Sequence, residues 1–465
     1  MFTQSLQAII LAAGKSSRFG TETSKLSTML CGQPMILYSA KLCMSLNIPM
    51  TFIVGYQREV VENLLISSGI PDITFSLQSD PKGTGHALMC SQKNWHSDYL
   101  LIMNGDMPLV SKEIILKLIE KQKETDAPIV FVTAYNADPS VTGYGKVITR
   151  DGKVTIVEAK DAQEDLKNEH FVNAGVYLFK RSCIEELAPQ LKPSPVTGEL
   201  YITDFITLAN NAGYNVETVS GSFDLLRGIN TLRELWVAEH IKRSQLIAHH
   251  MEHGVRFSMP QTVHLDVDVE IGPGSFIGAS AQLRSGTKIG KHVMIDAFTI
   301  IEKSIIRDQA TILSNSVISE SIIEEEAQVG PFAHLRNHTT LGKKSVIGNF
   351  VEVNKSVIGS SSKAKHLTYL GQAVVGDTVN IGAGTITCNY NGVSKHATHI
   401  QDGAHIGSNN SLVAPVTIGK NSITAAGSVI TKDVPEDALA IARSHQENKL
   451  DYAPKLKAKF TALKK

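Results

Sequence analysis

The chain runs to 465 residues with 45 Lys and Arg against 45 Asp and Glu, so no net field draws it to nucleic acid or an anionic membrane surface. That length exceeds one compact core and predicts two or three domains devoted to small-molecule chemistry. No basic stretch opens the chain, and its first apolar run ends at Gly14, which argues against a signal or spanning segment and predicts a cytoplasmic protein. Cys31, Cys43, Cys90, Cys183 and Cys388 are scattered without CxxC spacing, which argues against a disulfide framework or a zinc site.

From residue 7 to about 214, short apolar β-branched runs at 7–11, 51–54, 73–77, 99–103 and 128–133 alternate with helix-period segments at 35–46, 58–67 and 112–123. This alternation predicts a Rossmann-like α/β domain over 1–229, with a mostly parallel sheet and ligands bound beyond the carboxyl ends of its strands. The apolar spacing over 230–253 predicts one long helix acting as a rigid connector.

A period of six takes over in 254–440. Ile271, Ile277, Leu283, Ile289, Ile295 and Ile301 recur at uniform spacing, and the frame returns through Val329 to Val353 and again from Ile400 to Ile430. Repeated hexapeptides predict a parallel β-helix, because one apolar side chain per face turns inward and stacks on the next coil. The frame falters at 353–375 and 387–400, and both stretches are expected to leave the solenoid as loops that carry a site. Residues 441–465 form a lysine-rich tail without that register.

The first strand leads into Leu11-Ala12-Ala13-Gly14-Lys15-Ser16-Ser17-Arg18-Phe19-Gly20, with Lys25 beyond it. Small residues let backbone N–H groups approach a phosphate, and Lys15, Arg18 and Lys25 can neutralise a triphosphate and its departing pyrophosphate. The loop is neither a Walker A sequence nor a dinucleotide GxGxxG, and an ordinary turn with solvated charges is the competing reading. Asp106, in Asn104-Gly105-Asp106 at a strand end, is a candidate ligand for a hard divalent cation.

These residues resemble the opening motif of the sugar nucleotidyltransferases, with Ser16 and Ser17 replacing Gly-Thr and Ser24 standing before Lys25 where proline is usual. The resemblance implies that Leu11, Ala12 and Gly14 contact the nucleotide and that Gln78 with Gly83 and Thr84 reads a uracil edge. It implies that Asp106 and Asn230 hold Mg2+, with Arg18 and Lys25 catalytic on the leaving pyrophosphate. Gly145, Glu158 and Asn173 match sugar-binding positions, as does the run Tyr201-Ile202-Thr203-Asp204.

In the second half, His366-Leu367-Thr368-Tyr369-Leu370-Gly371 and Ile381-Gly382-Ala383-Gly384-Thr385-Ile386-Thr387-Cys388-Asn389-Tyr390 closely resemble the bacterial bifunctional N-acetylglucosamine-1-phosphate uridylyltransferases and glucosamine-1-phosphate N-acetyltransferases. That resemblance implies a left-handed β-helix that assembles as a homotrimer, with UTP and acetyl-CoA as co-substrates. His366 becomes the base that takes the amine proton, as suits a side chain titrating near neutrality. Glu352 is expected to orient it, and Arg336 to grip the sugar phosphate. Tyr369, Asn380, Asn389 and Tyr390 match substrate contacts, and Ala383, Asn389, Tyr390, Ser408, Ala426 and Arg443 match positions along acetyl-coenzyme A. Asn354 stands where the family has a phosphate-binding lysine, which leaves Lys355 or Lys365 to compensate. The tail is balanced between a solvated end and a role near the coenzyme's phosphates. The competing reading is a nucleotidyltransferase alone, with the β-helix as scaffold.

Overall fold

Strand residues of the first half alternate between two apolar layers: Ala8, Ile10, Leu101, Met103, Val130 and Val132 face one, and Ile9, Leu100, Ile102, Ile129 and Phe131 the other. A sheet buried on both faces must carry such near-continuous apolar runs. Helices Ile36–Ser45, Arg58–Ser67 and Lys112–Thr125 pack on the first layer, while Thr84–Cys90, Arg181–Leu187 and Asp204–Asn211 pack on the second. Each fully buried Leu, Ile or Phe contributes about 1.5–3 kcal/mol to this three-layer core.

The computed structural model describes residues 5–15, 19, 24–138, 143–150, 152–161 and 169–463. They form two units, Met1–Leu246 and Ile247–Lys465. In the first, the sheet runs in the order Val216–Ser222, Ile129–Tyr135, Phe171–Lys180, Tyr99–Asn104, Leu6–Ala12, Met50–Val54, Ile73–Leu77. All neighbours on this path are parallel except the pairs made by Phe171–Lys180. Strand Leu6–Ala12 lies between the second strand of its layer, Met50–Val54, and the later strand Tyr99–Asn104. The winding reverses there, which opens a crevice at the carboxyl ends of these strands.

The unit boundary falls within helix Leu232–Glu252. Thr231 caps that helix: the Glu234 N–H donates to Thr231 Oγ1, and Glu234 Oε2 reaches back one residue further to accept from the Asn230 N–H at 2.7 Å.

In the second unit three parallel sheets wind as a left-handed β-helix. Ile277 pairs with Ile295 and Ile295 with Ile312, so a coil takes 18 or 17 residues. The inward column continues through Val329, Ile347, Ala364, Ile381 and Ile406 to Thr424, whose hydroxyl accepts the Gly407 N–H.

The stretch 353–375 does not leave the solenoid, contrary to the expectation from its broken frame. Strands Val357–Ile358, Lys363–His366 and Tyr369–Gly371 stay in the sheets, with Ile358, Ala364 and Leu370 turned inward. Short faces of five residues displace the apolar positions without opening the coil, which is why a rigid six-residue template lost them. The second stretch does leave: nine residues, 389–397, intervene between strands Ile386–Cys388 and Thr398–Ile400. The tail forms helix Tyr452–Ala462, whose side chains are all exposed. Among the described residues no helix is long and apolar enough to cross a membrane.

Candidate functional sites

Leu11, Ala12, Gly14, Lys25, Gln78, Gly83, Thr84, Asp106, Gly145, Glu158, Asn173 and Asn230 line one cavity of about 1730 Å³ at the switch point of the first unit. Arg18 lies outside the described residues. The Gly105 N–H donates to Leu11 O at 2.9 Å and sets Asp106 beside the end of the first strand. The Ile229 N–H donates to Asp106 O at 3.0 Å, and this brings Asn230 to the same place from more than a hundred residues away. Tyr144 supports the segment by accepting the Gly228 N–H at 2.9 Å, and burial pushes its hydroxyl up to about 12, so it stays protonated.

Lys25 sits between the two expected metal ligands. Its ammonium donates to Asp106 Oδ2 at 2.5 Å and to Asn230 Oδ1 at 2.8 Å. Asp106 Oδ1 is buried and has no hydrogen-bond partner among the described residues. Two hard oxygens therefore meet at one point already arranged for positive charge, with the unpartnered Asp106 Oδ1 on the same carboxylate, a donor set that fits a divalent cation completing its shell with phosphate oxygens.

One end of the cavity is built on a glycine turn. Gly83 has φ +102°, and a Cβ there would meet the Leu200 carbonyl oxygen at 2.4 Å. The turn is joined to the 199–202 segment, since the Gly85 N–H donates to Leu200 O and the Ile202 N–H to Thr84 Oγ1. Gln78 is buried beside it, its amide donating to Gly83 O at 3.1 Å and to His86 Nδ1 at 3.0 Å. At the other end, Asn173 donates to the Tyr177 hydroxyl at 2.7 Å, and Glu158 accepts from the Thr203 hydroxyl at 2.7 Å. Burial raises the Glu158 carboxyl above its ordinary range, with the Thr203 bond opposing.

In the second unit, strand register gathers a column. Asn349 pairs with His366, Lys363 with Asn380, Asn380 with His405 and His405 with Ile423, so Asn349, His366, Ala383, Ser408 and Ala426 succeed one another on adjacent coils. Neighbouring strands lie about 4.8 Å apart, and the step from His366 to Ala426 therefore covers about 14 Å. Arg443 donates to Ala426 O at 3.1 Å and closes the far end.

His366 is exposed, and its Nδ1 lies 2.9 Å from Asn349 Oδ1. An amide oxygen can only accept, so Nδ1 carries a proton, and the neutral tautomer that fits this contact has its lone pair on Nε2. This differs from the pairing expected with Glu352. Glu352 Oε1 instead accepts from Arg336 at Nε and Nη2, 3.0 and 2.7 Å away, a diagonal pair across adjacent strands in which Arg336 is in register with Asn354 and Glu352 with His334. Asn354 is buried, accepts from Asn337 at 2.8 Å and donates to the Tyr369 hydroxyl at 3.4 Å. Asn389 is buried and donates to Gln372 at 3.1 Å, while Tyr390 and Asn380 are exposed on the loop and the column's sheet. Asn349 was not singled out from the sequence, whereas Tyr144 and Thr203 stand in the sugar-binding runs 143–145 and 201–204. The 17-residue spacing of Asn349 to His366 is the one signal that a coil-by-coil alignment would have exposed.

An α/β crevice that collects cations and hard oxygens, followed by a hexapeptide β-helix with a histidine column, defines a bifunctional transferase of nucleotidyl and acyl groups. Comparisons with known proteins agree. Residues 8–194 match the MobA-like NTP transferase domain, 259–349 the GMPPB C-terminal domain, and 397–432 the bacterial transferase hexapeptide of six repeats. The chain is 40% identical over 443 residues to the bifunctional protein GlmU of Thermosipho africanus, covering 95% of each. It is 38% identical to that of Oleidesulfovibrio alaskensis, covering 95% of this chain and 96% of the other, and 38% to that of Thermotoga maritima, covering 95% and 97%. The chain belongs to the GlmU family of bifunctional proteins.

Proposed function

We propose that the second unit transfers the acetyl group of acetyl-CoA to glucosamine 1-phosphate, and that the first couples the N-acetyl product to UTP, giving UDP-N-acetylglucosamine and pyrophosphate. The convergence of Lys25, Asp106 and Asn230 in one cavity carries the reading. Uridylyl transfer requires no base from the protein. The attacking oxygen of a sugar phosphate is already ionised near neutrality, so the barrier lies in bringing anions together at the α-phosphorus. Gln78 and the Gly83 turn hold the uracil, Glu158 and Asn173 the sugar hydroxyls and acetamido group, and Lys25 with Arg18 the departing pyrophosphate. Asp106 and Asn230 would hold Mg2+, which when bound neutralises charge on the two phosphates.

For acetyl transfer, His366 Nε2 takes one proton from the sugar ammonium so that the nitrogen can attack the thioester carbonyl, and as the C–S bond breaks the second proton shed by the nitrogen passes to the departing thiolate, giving the free thiol. The column from Ala383 to Ala426 and Arg443 gives an extended coenzyme a track about 14 Å long beside that base. Asn380 and Tyr390, exposed near this column, border the sugar phosphate. A homotrimer built through the β-helix and located in the cytoplasm fits this chemistry, with small molecules as its only substrates. His366→Ala is expected to abolish thiol release from acetyl-CoA while sparing pyrophosphate release from UTP, and Asp106→Ala to do the reverse. Loss of both activities in either variant would refute the two-site assignment.

A further inference from the structure

Resting on the nucleotidyltransferase reading, we propose that Lys25 is a built-in placeholder for the divalent cation, exchanging with it at the same pair of oxygens. The ammonium bridges Asp106 Oδ2 and Asn230 Oδ1 at 2.5 and 2.8 Å, and only 12% and 15% of the Lys25 and Asp106 side chains meet solvent. A Mg2+ ion binds oxygen at about 2.1 Å, so an ion on these ligands would lie within about 5 Å of that ammonium and compete for the same lone pairs. Two cations cannot share the place comfortably in a cleft this withdrawn from water.

The backbone makes the exchange a side-chain event. Leu26 is buried next to Lys25, the Ser27 N–H donates to Ser24 O at 3.0 Å and the Thr28 N–H to Lys25 O at 3.1 Å, so the turn itself is held. Asn230 is held by Glu234 and stays while the lysine leaves. The four-carbon stem can then carry the ammonium into the cavity that Lys25 already lines. Metal entry and delivery of a positive charge to the incoming polyphosphate thus become one event. Until then, Lys25 keeps the Asp106 carboxylate compensated.

Mn2+ binding to the full chain without nucleotide, followed by the electron paramagnetic resonance of the free ion, tests this. Lys25→Met and Lys25→Ala are each expected to tighten binding about tenfold, equivalent to ~1.4 kcal/mol. Lys160→Met removes a cation that lines the same cavity but pairs with Glu199 at 2.9 Å, and should change binding less than about twofold if the exchange is local. Asp106→Ala should abolish binding. Unchanged or weaker binding in folded Lys25 variants, or equal tightening in Lys160→Met, overturns the exchange. If Asp106→Ala binds Mn2+ like the parent, the metal assignment itself fails. A far-ultraviolet circular dichroism spectrum like the parent's and a cooperative melting transition establish that each variant is folded.

Discussion

Replacing Asn349 by alanine removes the one side-chain acceptor seen on His366 Nδ1 and leaves the β-helix core intact, since Asn349 lies outside the inward column. The bond is neutral and its histidine exposed, so its net worth falls in the range of about 0.5–1.5 kcal/mol, with water taking part of its place. If all of it acts on orientation and tautomer, acetyl transfer falls about two- to thirteenfold, mainly in kcat. Loss of the base itself, in His366→Ala, should be far larger, on the order of a hundredfold to ten-thousandfold. Asn349→Asp offers a second reading of the same contact. A carboxylate beside Nδ1 favours the imidazolium, so the acidic limb of the pH-rate profile should move to higher pH. Thiol release from acetyl-CoA with glucosamine 1-phosphate measures both variants, and pyrophosphate release from UTP is the internal control. Full activity in Asn349→Ala with an unmoved limb in Asn349→Asp would refute the positioning role. A loss in Asn349→Ala as deep as in His366→Ala would instead make Asn349 part of the reacting machinery.

Burial raises the Glu158 carboxyl, so the folded chain holds that proton at pH values where the unfolded chain has released it. The associated stability is present below the ordinary carboxyl value of 4.5 and is lost as pH rises through the raised one; melting curves across that window should flatten in Glu158→Gln. Gly83→Ala should destabilise by about 1–3 kcal/mol and raise KM for UTP, because its φ of +102° and the Leu200 carbonyl oxygen at 2.4 Å leave a Cβ no room. A variant with unchanged KM and melting temperature would show that the turn relaxes freely. Ile347→Ala, at a fully buried step of the inward column, should cost about 2–5 kcal/mol in denaturant titration while uridylyl transfer persists.

The two periodicities made the two folds legible. Alternation of strand and helix patterns announced the doubly wound sheet, and recurrence of Ile277, Leu283, Ile289 and Ile295 announced the solenoid, because each pattern is a direct record of which side chains turn inward. The stretch 353–375 was misread for a physical reason. Its apolar positions Ile358, Ala364 and Leu370 include a small residue and follow a five-residue face, so the record is faint although the coil continues. The corners were illegible altogether. A residue with positive φ recurs coil after coil, and at one corner it is Phe298, Asn315, Phe332, Phe350 and Leu367 rather than the glycine that such backbone favours. Ladder bonds between coils, such as the Phe350 N–H to Phe332 O at 3.1 Å, hold these turns where local preference would not.

Site residues were legible in proportion to how local their signal was. Gly83 and the cations of the first loop carry their chemistry in a few adjacent letters. Asn230 belongs with Asp106 only because a backbone bond from Ile229 closes the gap, and no spacing rule reports that. Glu352 shows the opposite failure. It stands on the coil next to Arg336, two residues from that arginine's register partner Asn354, and the long guanidinium side chain reaches it diagonally, whereas His366 stands on another sheet of the same coil turn. Column membership, set by register, decides who meets whom on a β-helix. It assigns His366 to Asn349 on one side and to Ala383, Ser408 and Ala426, the proposed coenzyme track, on the other. A variant that shifts register between His366 and Ser408 by one residue, made by deletion of Leu367 or Thr368, should therefore abolish acetyl transfer while His366, Asn349, Ala383, Ser408 and Ala426 all remain in the protein, with thiol release as the measure.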